Sequence, residues 1–208
     1  KFSTRLSSST HKTSDEYFLS IKDLFESKGI AFSDIDGVML SSVNPNLNYT
    51  FEHLIGVYFK AKLMTVGSGI KTGLNIKYDN PKEVGADRIV NSVAAYRTYG
   101  AISFGLKASV DALCQKAAKL PKIELVKPDR VIGKSTITNM QSGIIYGYVG
   151  MVEYIVKKLK EEMNCGPVKV IATGGLSEIV SANSDAIDIV DRTLTLRGLY
   201  ILYMMNSD

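Results

Sequence analysis

Apolar residues recur at the spacing of an amphipathic helix in three stretches of the first hundred residues, and two short apolar runs separate them. Thr13 and Glu16 have the spacing of a capping box, and the apolar pattern that follows predicts a helix ending at Gly29. The runs at 38–43 and 62–66 predict buried strands. Two further helices are predicted, over 47–58 and from Gly85 to Gly100, the second with Ile89, Val93 and Tyr96 facing inward.

The second half of the chain continues this alternation, which favours an α/β fold with parallel strand pairing. Its longest predicted helix holds Gly143, Gly147 and Gly150, each costing about 1 kcal/mol relative to Ala, and this predicts a neighbour packed very close to that face. The predicted helices are 106–120, 138–163, one from about residue 176 and one ending at 205, and the predicted strands are 168–172 and 187–190.

The alternation breaks at one place. The helix before Gly100 is followed almost at once by the helix over 106–120, and no strong strand lies between them. The strands are few for the number of helices. We therefore expect that sequence is missing before Lys1 and near Gly100, where a hairpin of ordinary strands would take about 15–25 residues.

Composition narrows the function classes. The net charge is only +4 and no run of five like charges occurs, so nucleic-acid binding is weakly supported. No apolar stretch approaches the length of a membrane span. Cys114 and Cys165 have neither zinc nor redox spacing, which favours a reduced, cytoplasmic protein. With His11 and His53 as its only histidines, the chain would have to use carboxylates, lysines, arginines and backbone groups for chemistry.

The densest group of candidate residues lies in 78–91, where a loop rich in turn residues leads to Gly85, Ala86, Asp87 and Arg88 at a predicted helix start. A carboxylate beside a guanidinium can bind a polar small molecule, the first accepting a hydroxyl proton and the second holding an anionic group. The alternative is structural, since Asp in a first turn complements the helix dipole. Spacing alone favours this alternative.

A second motif is the predicted strand and turn that end in Gly174 and Gly175 and are followed by a helix. Glycines at this point let a nucleotide approach the backbone, and a helix N-terminus favours phosphate. Turns of this kind are also common for steric reasons alone. The motif is neither a Rossmann fingerprint nor a Walker loop.

A third motif, Gly-Lys-Ser-Thr at 133–136, suggests a phosphate-binding loop, but Pro128 stands where the required upstream glycine would be. A helix entry capped by Ser and Thr is the simpler interpretation. A polar entry that faces a ligand, with the Thr136 hydroxyl as donor, is the alternative.

Three segments resemble signatures of the type III pantothenate kinases, in the same order. They are KTGLNIKYDNPKEVGADRIVNSVAAY at 71–96, VIGKSTITNMQSGIIYGYVG at 131–150 and VIATGGL at 170–176. DGVMLSSVNP at 36–45 and LTLRGL at 194–199 also look like that family, so the resemblance extends from Arg5 to Tyr203.

The resemblance implies the fold of acetate and sugar kinases, Hsp70 and actin: two related actin-like (ribonuclease H-like) halves, here 1–100 and 101–208, with a nucleotide cleft between them. It implies ATP-dependent phosphorylation of pantothenate to 4'-phosphopantothenate, the first step of coenzyme A biosynthesis, in a cytoplasmic homodimer without nucleic-acid or membrane partners. The implied cofactors are Mg²⁺ and a monovalent cation, K⁺ or NH₄⁺.

By the same resemblance, Asp87 is the expected general base. The expected pantothenate-binding residues are Tyr78, Gly85, Ala86, Arg88 and Thr136, and the expected residues at the adenine are Gly174 and Gly175.

The family's phosphate-binding Asp-x-Gly-Asn-Thr and cation-binding Asp-Phe-Gly-Thr motifs do not occur in this sequence. They belong before Lys1 and between Gly100 and Ala101, so no metal-binding residue is predicted, and Phe104 replaces a common Pro. A protein that truly lacks both hairpins would not hold the phosphates of ATP, whereas the intact flanking motifs favour an enzyme that has them. Two alternatives stay open: a non-catalytic relative that assists transcription, and a kinase for a sugar or short acid, which 71–96 disfavours.

Overall fold

The computed structural model describes residues 2–67, 69–76, 84–99 and 124–207. The chain forms two compact units, the first made of Lys1–Val90 with Leu199–Asp208 and the second of Asn91–Gly198. The division into actin-like halves at residue 100 stays a prediction. The predicted helix 106–120, Cys114 and Tyr78 lie outside the described residues.

The described elements alternate between helix and strand along the chain. The helices are α1 (Ser14–Glu26), α2 (Pro45–Leu54), α3 (Ala86–Tyr99), α4 (Thr136–Met163), α5 (Ser177–Ser181) and α6 (Leu194–Met205), with a 3₁₀ turn at Phe32–Asp34 and a π-helical turn at Ile55–Phe59. The strands are β1 (Gly37–Leu40), β2 (Lys62–Thr65), β3 (Ile171–Ala172) and β4 (Ile189–Val190).

Helix α1 begins at the predicted capping box. The Glu16 N–H donates to Thr13 Oγ1 at 3.3 Å, and the Thr13 N–H donates to Glu16 Oε2 at 2.7 Å. These bonds satisfy backbone donors that a helix N-terminus leaves without partners. The backbone and side-chain hydrogen bonds from Thr13 hold the pKa of Glu16 below its usual value.

In the first unit, β1 and β2 pair in parallel, with Val38 opposite Leu63. The apolar faces of α1, α2 and the π-helical turn form the adjoining core, because their inward residues recur at helical spacing. The buried members of this core are Tyr17, Leu47, Leu54, Ile55 and Phe59.

In the second unit, β3 and β4 also pair in parallel, with Ile171 opposite Ile189. Two apolar clusters surround this pair, one with α3 and α6 and one with α4 and α5. Their buried members are Ala94, Ala95, Ile171 and Leu194 in the first, and Val149, Val152, Val156 and Val180 in the second. The α/β class and the parallel pairing are therefore confirmed for both short sheets.

Two sequence expectations about packing were not met in full. Of the three residues of α3 predicted to face inward, Ile89 and Val93 are buried, but Tyr96 is half-exposed. The rest of the buried face of α3 consists of Val90, Ala94 and Ala95. The three glycines of α4 lie on an open face: a Cβ added at Gly143, Gly147 or Gly150 would meet no atom within 4 Å among the described residues. Within the described ranges, no helix is both long and apolar enough to cross a membrane.

Candidate active site

The first turn of α3 carries four of the predicted site residues. The Gly85 carbonyl accepts hydrogen bonds from the N–H groups of Arg88 at 3.0 Å and Ile89 at 3.2 Å, so Gly85 starts the helix. Ile89 and Val90, the next two residues of this turn, are buried. Asp87 and Arg88 then face solvent at the helix N-terminus.

The Asp87 carboxylate folds back over the start of its helix. Its Oδ1 lies 2.8 Å from the position that a Cβ on Gly85 would occupy. This distance is shorter than Cβ atoms in proteins keep from their non-bonded neighbours. Glycine at 85 therefore makes room for this rotamer. The position also suits a negative charge, because helix N-terminal N–H groups and the dipole attract anions.

Arg88 stands beside Asp87 on α3, and both side chains are exposed. Among the described residues, no ion pair joins them. The carboxylate can therefore accept a proton, and the guanidinium can hold a separate anionic group in its fork of N–H donors. Ala86, the first residue of the helix, adds a small side chain and a backbone N–H to the same turn.

Thr136 is the first residue of α4, so the helix begins two residues before the predicted start. Capping is carried out by its neighbours: the Thr138 N–H donates to Ser135 Oγ at 3.2 Å, and the Ser135 N–H donates to Thr138 Oγ1 at 3.0 Å. Both interpretations of the motif are compatible with this arrangement, because the cap leaves the exposed Thr136 hydroxyl available for a ligand.

Gly174 and Gly175 follow β3 at its carboxyl end. Gly174 has φ +96°, a left-handed conformation that favours glycine. Its carbonyl accepts a hydrogen bond from Ser177 Oγ at 2.6 Å, which fixes the turn to the start of α5. A Cβ on either glycine would meet no described atom within 4 Å. The turn thus presents bare backbone to open space, where a flat ligand could approach.

A buried carboxylate that sequence reasoning missed lies after β4. Asp191 accepts hydrogen bonds from the Tyr99 hydroxyl at 2.8 Å and from the N–H and hydroxyl of Thr193, both at 2.9 Å. The Arg197 guanidinium forms an ion pair with this carboxylate, with Nη2 3.4 Å from Asp191 Oδ2. Burial acts to raise the pKa of Asp191, but these hydrogen bonds and the guanidinium outweigh it and hold the pKa below its usual value.

The only local signal for this group was an Asp two residues before a Thr at a helix start. Its link to Tyr99 spans 92 positions, which local patterns do not reveal. The hydrogen bonds and the ion pair that the structure describes for this carboxylate all involve protein groups, so Asp191 links α3 to the start of α6.

The predicted residues thus fall into three groups. Gly85, Ala86, Asp87 and Arg88 share one helix turn. Thr136, Gly174 and Gly175 belong to the second unit. Tyr78 lies outside the described ranges. No group of three or more metal-ligating His, Cys, Asp or Glu side chains is found in the part of the chain that the structure describes.

Comparison with known proteins adds two findings. The sequence matches the profile of the family described as type III pantothenate kinase over residues 1–101 and 98–158. The two matched segments overlap at 98–101, where the predicted alternation of helices and strands breaks. The fold is similar to that of a Campylobacter jejuni protein described as belonging to the Baf family of transcriptional activators, with a TM-score of 0.50 and 17% identity over 90% of this chain and 88% of that chain.

Proposed function

The chain belongs to the type III pantothenate kinase family, and on that premise we propose that it transfers the γ-phosphoryl group of ATP to the primary hydroxyl of pantothenate. The product would be 4'-phosphopantothenate, the first intermediate on the route to coenzyme A. The observation that carries this proposal is the exposed Asp87 carboxylate, folded over Gly85 at the N-terminus of α3.

In this mechanism Asp87 accepts the proton of the pantothenate hydroxyl as the oxygen attacks the γ-phosphorus. A new oxygen–phosphorus bond forms, the bond to the bridging oxygen breaks, and ADP leaves. Phosphoryl transfer needs little covalent participation from the protein, so positioning and charge stabilisation supply most of the catalysis.

Arg88 is suited to the carboxylate of pantothenate, because a guanidinium binds a carboxylate through two parallel hydrogen bonds. We assign Gly85 and Ala86 to the backbone side of the same pocket, and Tyr78 and Thr136 to further substrate contacts. These assignments rest on the family's motif, and the first turn of α3 supports the two that concern Gly85 and Ala86.

On the nucleotide side, we assign Gly174 and Gly175 to the wall of the adenine site, within a fold of two actin-like halves. The open space above their backbone supports this role. Mg²⁺ would arrive on the ATP phosphates and neutralise part of their charge when bound. K⁺ or NH₄⁺ is expected from the family alone, as are the homodimer and the cytoplasmic location.

The decisive variant is Asp87→Asn, which preserves shape but removes the base. A general base typically contributes 10²–10⁴-fold, so turnover should fall at least about a hundredfold. The measurement is pantothenate-dependent ADP release, with circular dichroism to check folding. Asp185→Asn is the matched control, because Asp185 is an exposed carboxylate after α5 and should be dispensable. Near-normal turnover in Asp87→Asn would refute the assignment.

The competing function is that of a non-catalytic relative that assists transcription. The similarity to the Campylobacter jejuni protein concerns the fold alone at 17% identity. The presence of Asp87 and Arg88 at a helix start that suits an anionic substrate favours the enzyme.

A further inference from the structure

Asn206 lies just after α6 and holds the backbone of a distant residue. Its Oδ1 accepts a hydrogen bond from the Lys71 N–H at 2.9 Å, and its Nδ2 donates to the Lys71 carbonyl at 3.0 Å. The same Nδ2 donates to the Leu202 carbonyl at 2.8 Å. One side-chain amide therefore pairs with both backbone groups of Lys71, as a neighbouring strand would, and also caps the end of α6.

Lys71 belongs to the connection between β2 and α3, residues 66–85. In the described part of this connection, the hydrogen bonds to the rest of the protein are Val66 N–H to the Leu40 carbonyl at 2.8 Å and the two bonds to Asn206. The Asn206 side chain thus anchors the described part of this connection by binding both backbone groups of Lys71.

The anchor is itself fixed to the first unit. The Tyr203 ring packs so closely over Gly37 of β1 that any Cβ at position 37 would collide with it. The Ser207 hydroxyl donates to the Tyr203 carbonyl at 2.6 Å, and the Asn206 N–H donates to the same carbonyl at 3.1 Å. The end of α6 is therefore a firm base from which Asn206 can hold Lys71.

We propose that Asn206 is a positioning residue for the acceptor site. The connection that it anchors at Lys71 ends at Gly85, the residue that starts α3 and gives the Asp87 carboxylate its space. The two hydrogen bonds from Asn206 hold the Lys71 backbone in one place, and a site supported by ordered backbone binds more tightly because less ordering remains to be done on binding. This inference rests on the proposed function and adds the C-terminal end of the chain to the acceptor site's support.

Asn206→Ala tests the anchor, and Ser207→Ala is its matched control because Ser207 bonds to the same helix end without contacting Lys71. Loss of two hydrogen bonds to Lys71 should raise KM for pantothenate about fivefold to tenfold, while kcat and KM for ATP change less than about twofold. Asn206→Asp keeps the acceptor for the Lys71 N–H and should give an intermediate KM.

Hydrogen exchange of the peptide 69–76 supplies a readout that does not need catalysis. It should be faster in Asn206→Ala than in the wild type and unchanged in Ser207→Ala. The proposal would be overturned if Asn206→Ala left KM for pantothenate unchanged. It would also be overturned if the two alanine variants lost kcat and thermal stability equally, because Asn206 would then act only as a helix cap. Absence of turnover in the wild type would refute the proposed function, and the exchange comparison would still support or overturn the anchor.

Discussion

The Asp87 carboxylate oxygen lies 2.8 Å from the position that a Cβ at residue 85 would take, so any larger residue at 85 would displace this rotamer. The structural and the catalytic interpretation of Asp87 are physically compatible. A carboxylate at this position complements the helix dipole, and it can also accept a proton from a substrate. Mutation at Gly85 separates them, since dipole compensation tolerates a shifted carboxylate and proton transfer requires hydrogen-bond geometry.

Gly85→Ala should therefore lower kcat about tenfold or more, because small misplacements of a catalytic group are costly. The free energy of unfolding should fall only by about 1 kcal/mol, since Ala is a poorer helix start than Gly. Kinetics and urea unfolding measure the two effects. Gly67→Ala is the control within the same connection, because a Cβ there would meet no described atom within 4 Å. Unchanged turnover in Gly85→Ala would show that the rotamer is not needed.

The elements were predicted best where the responsible contacts are local. The capping box of α1 uses residues three positions apart, and it occurs as predicted. Gly85 starts α3 through bonds to residues three and four positions later. Such signals depend on helix geometry alone.

The sequence pattern did not reveal contacts between distant residues. Tyr99 and Asp191 are 92 positions apart, and Lys71 and Asn206 are 135 apart, so nothing in either neighbourhood indicates its partner. Spacing correctly assigned Ile89 and Val93 of α3 to the core but also assigned Tyr96, which the tertiary fold leaves half-exposed. Strand lengths were also overestimated, because pairing and not apolarity fixes where a strand ends.

The open glycine face of α4 leads to a stability prediction. Gly147→Ala should raise the free energy of unfolding by about 1 kcal/mol, because Gly lowers helix propensity and a Cβ would have space. Thermal or urea unfolding measures this change, and Gly133→Ala is the contrasting variant because its Cβ would collide with the backbone of Asn139. Destabilisation by Gly147→Ala would indicate that the face is covered.

Acid should weaken the link between α3 and α6 at Asp191. Its pKa is lowered in the folded state, so its contribution to stability is present above the usual carboxyl pKa of about 4 and is lost as pH falls through the folded value. Tyr99→Phe removes one hydrogen bond to this carboxylate and should cost about 1–3 kcal/mol at pH 7, with a smaller effect near pH 3.

Urea unfolding of the wild type and Tyr99→Phe at several pH values checks this prediction. Tyr96→Phe is the matched control, because Tyr96 lies on the same helix but is half-exposed. A cost of Tyr99→Phe that stays constant from pH 7 to pH 3 would contradict the role given to the Asp191 charge.

At the scale of the whole molecule, the net charge of +4 gives little support for strong non-specific DNA binding. The excess of 25 basic over 21 acidic residues is small, and no run of like charges concentrates it. A protein of this kind can neutralise few phosphates, so its DNA affinity should be weak and should change little with salt.

We therefore expect that a 20-base-pair duplex binds no more tightly than about 10⁻⁴–10⁻⁶ M at physiological salt, by fluorescence anisotropy, and equally in wild type and Asp87→Asn. Pantothenate-dependent ADP release should be strong in the wild type and lost in Asp87→Asn, because phosphoryl transfer needs the base and non-specific DNA binding does not. The reverse pattern, tight sequence-selective binding without ADP release, would assign the chain to the transcriptional branch. Because Asp87→Asn changes only one side chain, a difference confined to ADP release would locate the function in the first turn of α3.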